Sequence, residues 1–109
     1  MPEVFVYGTL KRGGRLHHIL ESGPCRFLRT AELNGFKMYG FGWYPGIVRA
    51  PGTVQGEVFD VPEDLLNCLD RVEGVPSWYR REKVDGMWVY VFNQSVDEAV
   101  EIEDGDWPV

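Results

Sequence analysis

The sequence predicts an α+β domain, a small mixed, mostly antiparallel β-barrel of about six or seven strands with one main helix. Three observations carry this. Short runs rich in β-branched and aromatic residues recur along the chain, set off by glycine-bearing turn signals. One segment, Pro62 to Gly74, switches to helical spacing with both ends marked. That helix is too isolated for the alternating strand–helix series of a parallel sheet.

In chain order, Val4-Phe5-Val6-Tyr7 reads as a buried first strand running abruptly into Gly8-Thr9-Leu10-Lys11-Arg12-Gly13-Gly14. Such a strand end presents backbone N–H groups at the rim of a core, where they can hold a carbonyl or an anion. A plain strand followed by a turn is the simpler reading. His17 to Glu21 can form one helical turn before Gly23-Pro24 ends it. Phe27 to Leu33 and Phe36 to Tyr39 read as a hairpin across Asn34-Gly35. Gly40 to Gly46 is too rich in glycine and proline for regular structure, yet carries Phe41, Trp43 and Tyr44, so it either lines a concavity or covers an edge of the core.

Thr53 to Val61 alternates as a strand, with Gly56 suggesting a bulge. In the helix, Pro62 suits the first turn, Glu63 and Asp64 suit its positive end, and Leu65, Leu69 and Val72 share a face with Leu66 beside them. Gly74 supplies the stop and Pro76 prevents continuation. Tyr79 to Val84 and Met87 to Phe92, split by Asp85-Gly86, read as a second hairpin. Asp97 to Asp106 reads as a solvated edge or a partly ordered end.

With 109 residues the chain makes one domain, 1–109. It has no apolar run of the roughly 18 residues that a membrane span needs and no leader pattern at its N-terminus. Cytoplasmic location without processing is therefore expected. Asn93-Gln94-Ser95 matches a glycosylation acceptor, but without a secretory context. Cys25 and Cys68 are isolated, which suggests two small core residues in a reducing compartment. The net charge of −6 divides unevenly: residues 1–49 carry seven Lys/Arg against three Asp/Glu, and residues 50–109 carry four against fourteen. The cations are scattered and in deficit, which argues against a nucleic-acid partner.

Several chemistries fail on inspection. Gly8 to Arg15 begins like a phosphate loop, but Gly14 and Arg15 stand where Lys and Ser/Thr are needed. His17 and His18 are adjacent, with no carboxylate or thiol at ligand spacing, so no metal site is expected. Neither cysteine nor any serine sits in a nucleophile pattern. What remains is Glu73, between a packed helix and Gly74-Val75-Pro76-Ser77-Trp78-Tyr79. Apolar and aromatic surroundings raise a carboxyl pKa toward neutrality, where it serves as a general acid or base. A generic surface glutamate is the commoner case.

Tyr7-Gly8-Thr9-Leu10 after a short strand, Gly56-Glu57-Val58 in a middle strand, Leu69-Asp70-Arg71-Val72-Glu73-Gly74 ending a helix, and Tyr79-Arg80-Arg81 downstream together resemble the gamma-glutamyl cyclotransferase-like family. The resemblance runs from Val4 to Gly105-Asp106-Trp107, and the compact length is most similar to the gamma-glutamylamine cyclotransferases. It implies a mixed barrel whose loop Tyr7 to Leu10 binds a gamma-glutamyl group through backbone atoms. It also implies catalysis by Glu73, with Tyr79, and in some members Tyr90, beside the substrate. The implied reaction releases 5-oxoproline and a free amine, and calls for no metal, cofactor or protein nucleophile. Arg80 or Arg81 is a candidate partner for the substrate carboxylate, although exposed cations on a hairpin are the simpler reading. The leaving group would be read by the Gly40 to Gly46 loop and the tail. A non-catalytic binding or interaction module of the same fold is the alternative.

Overall fold

In the first strand, β1 (Glu3–Val6), Val4 and Val6 point into one core and Phe5 into another, as strand alternation requires. That two-sided burial places β1 inside the sheet, and the computed structural model, which describes residues 1–109, shows how it is covered. The remaining elements are α1 (His18–Glu21), β2 (Arg26–Gly40), β3 (Pro45–Asp60), α2 (Glu63–Glu73), β4 (Tyr79–Val84), β5 (Met87–Phe92) and β6 (Val100–Ile102). One sheet has the order β4-β5-β1-β3-β2-β6, with β1 and β5 parallel and every other pair antiparallel. The α+β class and mixed sheet are as expected, but the sheet is not a closed barrel, since β4 and β6 are separate edges.

Both helices serve one face. Leu20 of α1 and Leu66 and Leu69 of α2 pack with Val4, Val6, Phe59, Tyr90 and Phe92. The opposite face buries Phe5, Val58, Val89 and Val91 with Leu33, Phe36, Met38 and Ile47. No helix contributes to this second core, so the long β2–β3 hairpin supplies its cover by curling over it.

Two local expectations are corrected. Asn34-Gly35 is not a hairpin turn: β2 runs through it, and the turn lies at Phe41 to Tyr44, where the Phe41 N–H donates to the Tyr44 carbonyl at 2.9 Å. The register against β3 shifts between Asn34 and Phe36, and Gly35 has φ +85°. The buried residues explain the irregularity. Leu33, Phe36 and Met38 change from odd to even positions, and one additional residue restores the inward phase. Nor does Gly56 form a bulge, since it pairs in register with Ala31. A Cβ there would lie 2.5 Å from Phe5 Cζ and 2.6 Å from the Val6 carbonyl, so the position requires glycine for close approach to β1.

The helix and second hairpin form as predicted. Gly74 closes α2 in the left-handed conformation (φ +69°), its N–H directed at the Arg71 and Asp70 carbonyls. Asp85 (φ +51°) and Gly86 (φ +80°) form the tight turn between β4 and β5. The helix buries Leu66 and Leu69, whereas Val72 is 43% exposed. The acidic tail is more ordered than a solvated end. It adds β6 beside β2, and the Gly105 carbonyl accepts from the Gln55 N–H at 2.8 Å. This topology brings the ends of β1 and α2, the starts of β3 and β4, and part of β5 to one place.

Candidate active site

A cavity of about 260 Å³ opens at this convergence. It is lined by Tyr7, Gly8, Thr9 and Leu10 from the end of β1, Glu73 and Gly74 from the end of α2, Tyr79 from β4 and Tyr90 from β5. The glutamate, the loop residues and the tyrosines expected from the sequence therefore all line it, although Tyr7 and Tyr90 are 83 positions apart. The helix ends where Gly74 turns left-handed, so Glu73 is delivered at the boundary between helix and loop. The following loop is tied down: the Val75 N–H donates to the Asp70 carbonyl at 2.9 Å, and Asn93 Nδ2 donates to the Pro76 carbonyl at 2.8 Å.

Three tyrosine hydroxyls surround the carboxyl, and each has a protein acceptor for its proton. Tyr7 donates to the Tyr90 carbonyl at 2.6 Å, Tyr79 to the Pro45 carbonyl at 2.7 Å, and Tyr90 to Asp70 Oδ1 at 2.8 Å. Burial raises all three phenol pKa values, and the negative charge of Glu73 raises each further. For Tyr90 the hydrogen bond to Asp70 is the second cause, after burial. The hydroxyls are thus neutral, and while the Tyr7 oxygen also accepts from the Ile47 backbone N–H, those of Tyr79 and Tyr90 keep acceptor capacity.

The Glu73 carboxyl makes no hydrogen bond within the chain. Burial pushes its carboxyl up to about 7, which leaves it divided between acid and base near neutral pH. In the same cavity lining, the N–H groups of Gly8, Thr9 and Leu10 donate to no group of the chain, while the Gly8 carbonyl accepts from Lys11 and the Thr9 carbonyl from Leu16. Unpaired donors at a cavity wall suit an anion or a developing oxyanion. Gly8 is required for space rather than for backbone freedom, because a Cβ there would stand 2.5 Å from Pro45 Cγ.

The Gly40 to Gly46 segment performs both tasks left open for it. Tyr44 and Pro45 line the cavity, while Phe41 stacks on Tyr44 and packs against Phe92 with ring centroids 4.4 Å apart. Neither candidate arginine reaches the cavity. Arg80 pairs with Glu82 and Asn93, and Arg81 lies against Asp70 and over the Trp88 ring. The cation that lines the cavity is Arg15, for which the sequence offered no signal beyond a failed phosphate-loop match. Lys11, a residue type that is rarely buried, is buried here and bonded to Asp106 and to the Trp107 carbonyl. The described residues contain no group of three or more His, Cys, Asp or Glu that could hold a metal ion, and no helix is long and apolar enough to cross a membrane.

Comparison with known proteins gives the family. The family described as "Gamma-glutamyl cyclotransferase, AIG2-like" matches residues 4–109. A Vibrio cholerae protein is 36% identical over 110 residues, covering 95% of this chain and 93% of its own length. The Escherichia coli gamma-glutamylcyclotransferase family protein YtfP is 32% identical over 95% of this chain and 94% of its own. Its solution structure superposes with a TM-score of 0.78, covering 96% of this chain and 95% of that one. The rat gamma-glutamylaminecyclotransferase is 37% identical over 74% of this chain and 60% of its own length. The chain belongs to the gamma-glutamyl cyclotransferase, AIG2-like family.

Proposed function

We propose that the protein closes the gamma-glutamyl group of an amine or peptide into 5-oxoproline and releases the free amine. One observation carries the reading: a carboxyl raised to about 7 shares a small cavity with residues whose backbone donors are unpaired. The substrate brings its own nucleophile. Its α-ammonium must lose a proton, and Glu73 in its ionised form takes it. The freed amine nitrogen attacks the γ-carbonyl carbon, forming the ring C–N bond and placing negative charge on the oxygen. The N–H groups of Gly8, Thr9 and Leu10 hold the glutamyl carboxylate and stabilise that charge, at about 3 kcal/mol for each oxyanion donor. Collapse breaks the original amide C–N bond as protonated Glu73 returns its proton to the leaving nitrogen, and Glu73, ionised again, then takes the second proton from the ring nitrogen and passes it to the departing amine. The sequence consumes no water and leaves Glu73 as it began.

The tyrosines position the substrate. Because the hydroxyl protons of Tyr79 and Tyr90 are directed elsewhere, their lone pairs accept from the α-ammonium and hold it near Glu73, with Tyr7 packed beside them. The test is to assay 5-oxoproline release from a panel of gamma-glutamyl amines and dipeptides. Glu73→Gln is expected to fold normally and to lose about 10³-fold in kcat. In the wild type, kcat/KM should rise with pH through about 7, as the carboxyl ionises. Undiminished turnover by the variant would remove Glu73 from the mechanism.

A further inference from the structure

A second concavity of about 270 Å³ adjoins the first, and Thr9 and Arg15 line both. Its other walls include Gly13, Trp43 and Trp107. Trp43 is 72% exposed, so the core does not explain its presence. The Arg15 guanidinium lies 5.4 Å from the Trp43 ring centroid and forms no ion pair. Its neighbours in sequence are already engaged, Lys11 with Asp106 and Arg12 with Glu57. The far wall is fixed, because Lys11 Nζ donates to the Trp107 carbonyl at 2.7 Å.

We propose that this groove is the leaving-group subsite and that it selects gamma-glutamyl α-amino acids with large apolar side chains, their free carboxylate paired with Arg15. The inference rests on the cyclotransferase reading for the direction in which the substrate lies. Once the glutamyl part faces Glu73 and the loop donors, the substituent on the scissile nitrogen has to leave the first cavity, and the adjoining groove passes Arg15. A carboxylate on that substituent meets an unpaired guanidinium whose fork suits it. An apolar side chain beyond it meets the indoles of Trp43 and Trp107. A leaving group bearing a cation instead meets like charge and is disfavoured.

Three compounds separate these contributions: gamma-glutamylphenylalanine, gamma-glutamylphenethylamine with the same ring but no carboxylate, and gamma-glutamylputrescine with a cation. The wild type is expected to show kcat/KM about tenfold higher for the phenylalanine compound than for the phenethylamine, the scale of one charge-assisted hydrogen bond, with putrescine poorest. In Arg15→Gln that ratio should fall toward one through KM, and in Trp43→Ala both aromatic compounds should lose affinity. Calorimetric binding of the same compounds to Glu73→Gln, with and without Arg15→Gln, gives a readout independent of turnover. Arg15-dependent binding without any wild-type 5-oxoproline release would retain the subsite and overturn the catalytic reading. The subsite is overturned if Arg15→Gln shifts both aromatic compounds equally or neither, if putrescine is preferred, or if gamma-glutamylphenylalanine does not bind.

Discussion

Because burial holds the Glu73 carboxyl at about 7 instead of 4.5, the folded chain keeps a proton that the unfolded chain releases between those two values. The native state then binds more protons than the unfolded state, so stability falls as pH rises across this window and is level above it. The full effect is present below pH 4.5 and lost above 7, the reverse of the usual salt-bridged carboxylate. Allowing for partial exposure, the loss is about 2 kcal/mol. Glutamine cannot ionise, so Glu73→Gln should gain on the wild type by that amount between pH 5 and 8 when urea midpoints are compared. Parallel stability curves for the two proteins over that range would contradict a buried, unpaired carboxyl. The same burial that suits Glu73 to proton transfer therefore weakens the fold at working pH, a trade often found at active sites.

At the scale of elements, the site depends on close approaches that only small residues permit. Gly8 meets the ring of Pro45, and Pro45 in turn offers its carbonyl to Tyr79. In Gly8→Ala, the new methyl would lie 2.5 Å from Pro45 Cγ and 2.8 Å from Cδ, and a proline ring cannot swing aside. The start of β3 must move, at a cost of about 2 kcal/mol on the overpacking scale. We expect Gly8→Ala to lower the denaturation midpoint accordingly and to weaken substrate binding. A variant with wild-type stability would show that Pro45 can yield to the added methyl. The strand ending at Gly8 and the helix ending at Glu73 were legible in the sequence, since both ends carry local punctuation in Gly8 and Gly74. The β2–β3 hairpin was misread because Asn34-Gly35 has the chemistry of a turn, while its use as a bulge is set by which of Leu33, Phe36 and Met38 must face inward. Arg15 and Pro45 could not be read as site residues, because their places depend on how β3 and the first loop meet.

Across the whole molecule, the charge asymmetry of the sequence becomes a set of cross-links. Lys11–Asp106, Arg12–Glu57, Arg26–Asp60, Lys37–Glu101 and Arg49–Glu82 each join the basic first half to the acidic second half. Three of these cations are half or more exposed and Lys37 is 37% exposed, and such pairs are individually weak. Lys11 differs, with only 8% of its side chain exposed and two acceptors, Asp106 Oδ1 at 3.0 Å and the Trp107 carbonyl at 2.7 Å. It directly follows the cavity-lining loop Tyr7 to Leu10, so one side chain joins that loop to the segment forming the groove wall. Lys11→Met keeps the apolar stem and removes the ammonium, which should free the 105–109 segment without unfolding the sheet. Amide exchange would reveal this at Gln55, whose N–H donates to the Gly105 carbonyl, while the strand amides of β1 and β5 keep their protection. The global midpoint should fall by about 1 kcal/mol or less, because Asp106 can turn to solvent. Unchanged exchange at Gln55 would mean that Gly105, whose added Cβ would stand 2.0 Å from the Thr53 carbonyl, is held by packing alone. Faster exchange there, together with weaker discrimination among leaving groups, would place the acidic tail in the wall of the working site.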